Sequence, residues 1–167
     1  AFGDVAPALA SGDCALTHQA SFLSGFFPEG TNIAEDGDVW AFMLPGESAD
    51  DSAVTGAGEI VGAFSDSAAT QQVLAYLSSP EWANSRVSLG GVTSANNGLD
   101  PANAQDPILQ ETIKILQDPD TTFRFDASDL MPGAVGAGTF WKGMVAWVNG
   151  GSTDEVLQQI ETGWPAG

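Results

Sequence analysis

The order of apolar and polar residues predicts a chain that mixes strands with short helices. Alternation over residues 14–20 is typical of a strand, and the continuous apolar run 39–44 predicts a strand covered on both faces. Residues 53–64 are apolar but rich in glycine, which predicts a long strand that bends or lets another group approach its backbone. Together with the helical stripes described next, these strands indicate an α/β fold.

Three apolar stripes with helical spacing predict helices. A capping residue stands near most of the predicted helix starts: Ser78 or Ser79 beside Pro80, Asp106 before Pro107, Thr139 before a helix over 140–148, and Ser152 with Glu155 in a capping box. The stripes are Phe2, Val5 and Leu9; Val73, Leu74 and Leu77; and Leu109, Ile113 and Leu116.

Charge narrows the possible partners. The 167 residues include 22 acidic and 4 basic ones, which gives a net charge of -18. The four cations are scattered, so we expect neither nucleic acid nor an anionic lipid surface as a partner. The acidity fits ordinary solubility and equally fits a salty or extracellular setting, where ions screen the self-repulsion.

The sequence offers no disulfide and no membrane span. Cys14 is the only cysteine, and no run approaches the roughly 18 to 20 apolar residues that cross a bilayer. The first residues already carry helical spacing, so we expect the chain to begin inside a longer protein, and the lack of a leader is uninformative about location.

Motifs for catalysis or cofactor binding are absent or fail on spacing. Cys14 and His18 stand too far apart on a strand to act as a pair, and the glycines of residues 56–62 do not match a dinucleotide loop. The aspartates of residues 118–129 lack the glycine and closing glutamate of a calcium loop. We therefore expect no catalytic residue, metal or cofactor.

Four segments, taken in order, resemble the solute-binding proteins of ABC sugar importers, in particular the carboxy-terminal half of the maltose-binding-like and alpha-glucoside-binding-like members. The resemblance covers nearly the whole chain. The segments are GDCALTHQASFLSGFFP, VWAFMLPGES, VTGAGEIVGAFSDSAATQQVLAYLSSPEWANSRVSLGGVTSANNGL and FDASDLMPGAVGAGTFWKGMVAWVNGGSTDEVLQQI.

This resemblance implies a helix-rich portion of the type II periplasmic-binding-protein fold, an α/β fold with two lobes. It places residues 1–54 in the carboxy-terminal lobe, residues 55–100 with a crossover strand in the amino-terminal lobe, and residues 101–167 in the closing helices of the carboxy-terminal lobe. It also implies that an amino-terminal half of comparable size is missing.

The resemblance further implies a set of sugar-binding residues. Phe22 and Trp141 match the positions of stacking aromatic residues, and a pyranose offers apolar C–H faces that stack on such rings. Glu59 stands where many relatives have tryptophan, so it is either a carboxylate that binds a sugar hydroxyl, which we favour, or a residue outside the site. Gly56 and Gly58 would let the crossing strand approach ligand or flex, and the remaining expected polar contacts are Gln19, Ser21 and Asp129.

The implied function is extracytoplasmic binding of an oligosaccharide, with an alpha-glucoside expected, and its delivery to an ABC permease. The protein would be periplasmic or a cell-surface lipoprotein, with no direct membrane insertion by this chain, and open strand edges would favour self-association. Two alternatives remain: part of a carbohydrate-active hydrolase that uses Glu59 and Asp129 as paired carboxylates, or an acidic interaction module.

Overall fold

Short helices dominate the computed structural model, which describes residues 3–46, 48 and 53–165. Two strands, β1 and β2, pair in a small sheet. The strands are β1 Ala53–Gly56 and β2 Thr122–Phe125; the α-helices are α1 Ala6–Ser11, α2 Ala68–Leu77, α3 Pro80–Val87, α4 Pro107–Gln117, α5 Trp141–Val148 and α6 Thr153–Glu161; 3-10 helices span Ser21–Phe26 and Pro101–Asn103, and a π-helical segment spans Ala134–Phe140.

Two predicted helix starts, those of α3 and α4, are confirmed, because the expected residues satisfy the open backbone groups there. Gly12 ends α1 with a φ of 80°, a conformation that glycine adopts without steric cost. Of the two candidate caps for α3, Ser79 is the one used, and its hydroxyl accepts the Trp82 N–H. Asp106 caps α4 by accepting the Leu109 N–H at 2.9 Å.

Two capping predictions are wrong in detail. Thr139 caps nothing, since the π-helical segment runs into α5 without a break and no helix begins at residue 140. Ser152 does occupy the capping position of α6, but its side chain makes no capping hydrogen bond, so the capping box with Glu155 is not formed.

The predicted strands are mostly wrong. Residues 14–20 and 40–44 have no regular secondary structure, and the predicted strand over 53–64 is reduced to β1. A strand requires a hydrogen-bonded neighbour, and within the described residues the run 40–44 has none. Its side chains are correspondingly exposed, Phe42 and Leu44 most of all.

The chain divides into two compact units. The first unit contains Ala1–Val54 and Glu59–Phe123, and the second contains Thr55–Gly58 and Arg124–Gly167, so the division falls within both strands. The lobe boundaries expected from the resemblance, at residues 54 and 100, concern a two-lobed whole protein and stay a prediction.

The core of the first unit is helical. It joins α3 and α4 to the 3-10 turn between them, and Leu109 and Ile113 on α4 lie within it almost without solvent exposure. Burial of such side chains stabilises each by roughly 1.5–3 kcal/mol relative to leaving it exposed. The cluster comprises Ala83, Val87, Leu99, Ala104, Leu109 and Ile113.

The second unit is built around contact between α5 and α6. Gly143 is buried there, and a Cβ at this position would lie 3.1 Å from Ile160 Cδ1 and 3.2 Å from Val156 Cγ1. The π-helical segment adds the buried Val135. No helix in the described part of the chain has both the length and the apolar character needed to cross a membrane.

Candidate functional site

Phe22 lies on the 3-10 helix Ser21–Phe26 in the first unit. Its two successors, Leu23 and Ser24, are buried, while Phe22 itself is half-buried. The Phe22 ring meets that of Phe26 edge to face, with ring centroids 6.2 Å apart and planes at 75°. An aromatic ring in such a pair is held in orientation and keeps part of its surface open.

The helix that carries Phe22 is attached to the rest of the first unit at two points. The buried hydroxyl of Ser24 donates to Asp106 Oδ2 at 3.2 Å, across 82 positions of sequence. Next to it, a Cβ added at Gly25 would lie 3.2 Å from Gly91 Cα, which is closer than most Cβ contacts. Both points join this helix to the segments that flank α3 and α4.

A shallow depression of about 400 Å³ lies at these attachment points. Ser24 and Asp106 line it, with the backbone of Gly25, Gly90 and Gly91. Gly90 and Gly91 have φ angles of 79° and 73°, which favour glycine over every other residue. Sequence reasoning missed this cluster, although the glycine pair in the connection after α3 marked an unusual backbone.

Trp141 begins α5 in the second unit and is 60% exposed. The preceding π-helical segment is rich in glycine, and Gly136 closely approaches the Ser128 carbonyl. π-Helical turns inside helices occur frequently at functional sites. The tryptophan ring is therefore available for contact, as the stacking role requires.

An apolar stripe extends from Trp141 along α5. Met144, Val145 and Val148 follow it at helical spacing, and all four side chains are exposed. The opposite side of the helix is the one that packs on α6 through Gly143. Val148 is the most exposed of the four, because α6 covers only the Gly143 side of α5.

The glycines and the glutamate after β1 are open to solvent. Gly58 and Glu59 are exposed, and no heavy atom lies within 4 Å of a Cβ added at Gly58. Gly56 ends β1, and its carbonyl accepts the Asp126 N–H at 2.9 Å. The expected approach of a ligand or the flexing of this segment stays a prediction.

The remaining expected contacts are also at the surface. Gln19 is exposed, and its Oε1 accepts the Ala20 N–H at 2.9 Å. Ser21 is half-buried at the start of the 3-10 helix, and Asp129 is exposed. The first unit therefore carries Gln19, Ser21, Phe22 and Glu59, whereas the second carries Gly56, Gly58, Asp129 and Trp141.

One carboxylate of the second unit has a perturbed pKa. The Ser128 backbone N–H donates to Asp126 Oδ1 at 2.9 Å, and the Ser128 hydroxyl donates to the same oxygen at 2.8 Å. These bonds favour the charged form, so they lower the pKa of Asp126 below its ordinary value. The arrangement is a local turn at the surface.

Among the described residues, no group of three or more histidines, cysteines, aspartates or glutamates is placed to hold a metal ion. Another depression, lined by Glu155, Gln158 and their neighbours on α6, contains none of the predicted contacts.

Comparison with known proteins identifies relatives. Over 160 residues the chain is 38% identical to the alpha-glucosides-binding periplasmic protein AglE of Rhizobium meliloti, a match that covers 90% of this chain and 33% of AglE. The chain is thus similar to about a third of a periplasmic binding protein. Over 153 residues it is also 36% identical to the osmoprotective compounds-binding protein GgtB of Synechocystis sp., with 91% of this chain and 35% of GgtB covered.

These relatives confirm the resemblance noted in the sequence and the extracytoplasmic location it implied. The chain spans about a third of the length of the curated relatives it matches. Both relatives are named as binding proteins, which fits a protein that is not an enzyme. No profile of a known protein family matches the chain. No solved structure matches it.

Proposed function

We propose that this chain belongs to an extracytoplasmic binding protein that binds an alpha-glucoside oligosaccharide and delivers it to an ABC permease. The alignment of 90% of the chain with the alpha-glucosides-binding protein AglE carries this proposal. The two-lobed, type II fold belongs to the same proposal, since closure of two lobes over a ligand is how such proteins bind reversibly.

In this proposal Phe22 and Trp141 stack on the apolar faces of the sugar. Trp141 is supported by its exposure at the first position of α5, and Phe22 by its half-open ring against Phe26. Stacking on ring faces suits pyranoses because their C–H groups are apolar while their rims carry hydroxyls.

Hydroxyl recognition falls to the polar residues on either side of these rings. Glu59 can accept hydrogen bonds from sugar hydroxyls through both carboxylate oxygens, and Asp129 can do the same. Gln19 and Ser21 lie beside Phe22 in sequence, and the open backbone at Gly56 and Gly58 offers peptide groups. Four of these residues are exposed and can reach a ligand, whereas Ser21 and Gly56 are half-buried; the exposed ones are Gln19, Gly58, Glu59 and Asp129.

The test is calorimetry of the full-length protein with maltose, trehalose and methyl α-glucoside. We expect one of these sugars to bind, Trp141→Ala to weaken the binding by at least about tenfold, and Trp147→Ala to serve as the matched control from the same helix. Loss of one stacking ring removes roughly 1.4 kcal/mol or more, which corresponds to that factor. Equal effects of the two substitutions would contradict the stacking role.

The Synechocystis relative supplies a second candidate ligand class, since it is named for osmoprotective compounds. Adding glycine betaine, an osmoprotectant that contains no sugar, to the same titrations separates the two classes. Binding of glycine betaine alone would contradict a carbohydrate site.

The hydrolase alternative predicts turnover, which the binding proposal does not. Release of nitrophenol from p-nitrophenyl α-glucoside, abolished by Glu59→Gln, would contradict the proposal. The acidic-interaction alternative predicts that none of the sugars raises the melting temperature, whereas a bound ligand stabilises the folded state.

The isolated 167-residue chain should bind these sugars weakly or not at all, because the proposed site needs residues beyond the third of the relatives' length that it spans. It should also self-associate through exposed apolar surface, which light scattering measures.

A further inference from the structure

We infer that Ser24 and Asp106 are positioning residues, which set the orientation of the Phe22 ring for ligand. This inference rests on the proposed function and extends it to two residues that do not themselves contact sugar. Ser24 lies two positions after Phe22 on a six-residue 3-10 helix, so a shift of its backbone moves the ring as well.

Asp106 accepts two hydrogen bonds, one through each carboxylate oxygen. Its Oδ1 accepts the Leu109 N–H at 2.9 Å and so caps α4, while its Oδ2 accepts the Ser24 hydroxyl at 3.2 Å. Leu109 is fully buried, which fixes the start of α4 in the core of the first unit. The carboxylate therefore transmits the position of a rigid helix to the short helix that carries Phe22.

Gly25 and Gly91 let the 3-10 helix that carries Phe22 lie close to the segment after α3. Gly25 approaches Gly91 so tightly that a Cβ at residue 25 would lie 3.2 Å from Gly91 Cα. Ser24 is buried, with a relative exposure of 8%, and Asp106 is the partner that its hydroxyl has in the structure. Loss of the bond would leave a buried polar group unsatisfied and loosen the short helix.

Hydrogen exchange tests the attachment independently of any ligand. In Ser24→Ala we expect amides of residues 21–26 to exchange about fivefold faster, the change that loss of one hydrogen bond produces. Amides of α4 should be unchanged, because Asp106 still caps that helix. Ser88→Ala, which removes a hydroxyl bond to the Ser85 carbonyl elsewhere in the same unit, is the matched control.

Asp106→Ser is the second variant. Serine is also a strong helix cap but is too short to hold both partners, so α4 should stay protected while residues 21–26 again exchange faster. Unchanged exchange at residues 21–26 in both variants would overturn the inference.

Titration of the full-length protein with maltose tests the consequence. Ser24→Ala should weaken binding by about fivefold in the wild-type background and by less than twofold in a Phe22→Ala background, since it acts through that ring. Equal effects in both backgrounds would overturn the positioning role. If wild-type protein binds no sugar, the proposed function fails, and hydrogen exchange still decides whether Ser24 and Asp106 fix this helix.

Discussion

The two units of this chain differ in where they place charge and apolar surface. The first unit holds 17 of the 22 acidic residues and two of the four basic ones, whereas the second holds five acidic and two basic residues. The first also has a connected helical core. Both units expose apolar side chains, Phe42 and Leu44 among them in the first, but in the second unit four of them form one stripe along α5, from Trp141 to Val148.

Because of this difference, the two units should interact differently with solvent, ions and ligands. A unit with a buried core and an acidic surface depends on its own packing and on the ions around it. A unit with an open apolar face on one helix can contact an apolar ligand surface directly, as the proposed stacking of Trp141 requires. Changes to the core, the helix contact and the ionic strength should therefore affect the units differently.

The largest expected effect comes from the core of the first unit. Leu109→Ala should lower the free energy of unfolding by about 2–5 kcal/mol, because Leu109 is completely buried and its truncation leaves a cavity. Urea denaturation followed by circular dichroism measures the change. Leu89→Ala is the control, since Leu89 is 75% exposed in the same unit and should change stability by less than about 0.5 kcal/mol. Similar losses in both variants would contradict the core assignment.

The second unit should be most sensitive at the contact of its two helices. Gly143→Leu places side-chain atoms where Ile160 and Val156 already lie about 3 Å from a Cβ, so we expect a loss of about 1–3 kcal/mol by overpacking. Met144→Leu, on the exposed side of α5, should be nearly neutral. Hydrogen exchange of α5 and α6 localises the effect, and faster exchange in α4 instead would contradict two separately packed units.

The starts of α3 and α4 could be predicted from the sequence, whereas most of the strands could not. Caps such as Asp106 act within one turn, so neighbouring residues suffice to predict them. Residues 39–44 have the composition of a buried strand, but pairing depends on distant segments, and within the described residues Val39 makes only an isolated bridge to Ile33.

The candidate site shows the same division. The exposed position of Trp141 at the start of α5 could be predicted. The helix follows from the local sequence, and the exposed ring follows from the family pattern. The attachment of Phe22 through Ser24 and Asp106 could not, because it joins residues 82 positions apart.

Salt should stabilise the first unit more than the second. Raising NaCl from 0.05 to 1 M shortens the screening length from more than 10 Å to about 3 Å, which reduces repulsion among the acidic residues. We expect the free energy of unfolding to rise by about 1 kcal/mol or less. Glu35→Gln with Asp36→Asn should reduce that gain, whereas Glu155→Gln with Glu161→Gln, the same number of charges in the second unit, should reduce it less. Thermal melting measures the salt response of both double variants. An equal reduction of the salt response in the two would contradict the difference in charge effects between the units.

The smallest effect concerns Asp126 in the second unit. Two hydrogen bonds from Ser128 lower the pKa of Asp126 in the folded protein. The bond from the backbone N–H has the larger effect, and the bond from the hydroxyl has the smaller one. A lowered folded-state pKa stabilises the protein above the unfolded value of 3.8, and this stabilisation is lost as the pH falls through the folded value. Ser128→Ala removes only the hydroxyl bond, so the Asp126 pKa should rise part of the way toward its ordinary value, with NMR titration of the carboxyl carbon as the measurement. An unchanged Asp126 pKa in this variant would contradict the contribution of the Ser128 hydroxyl.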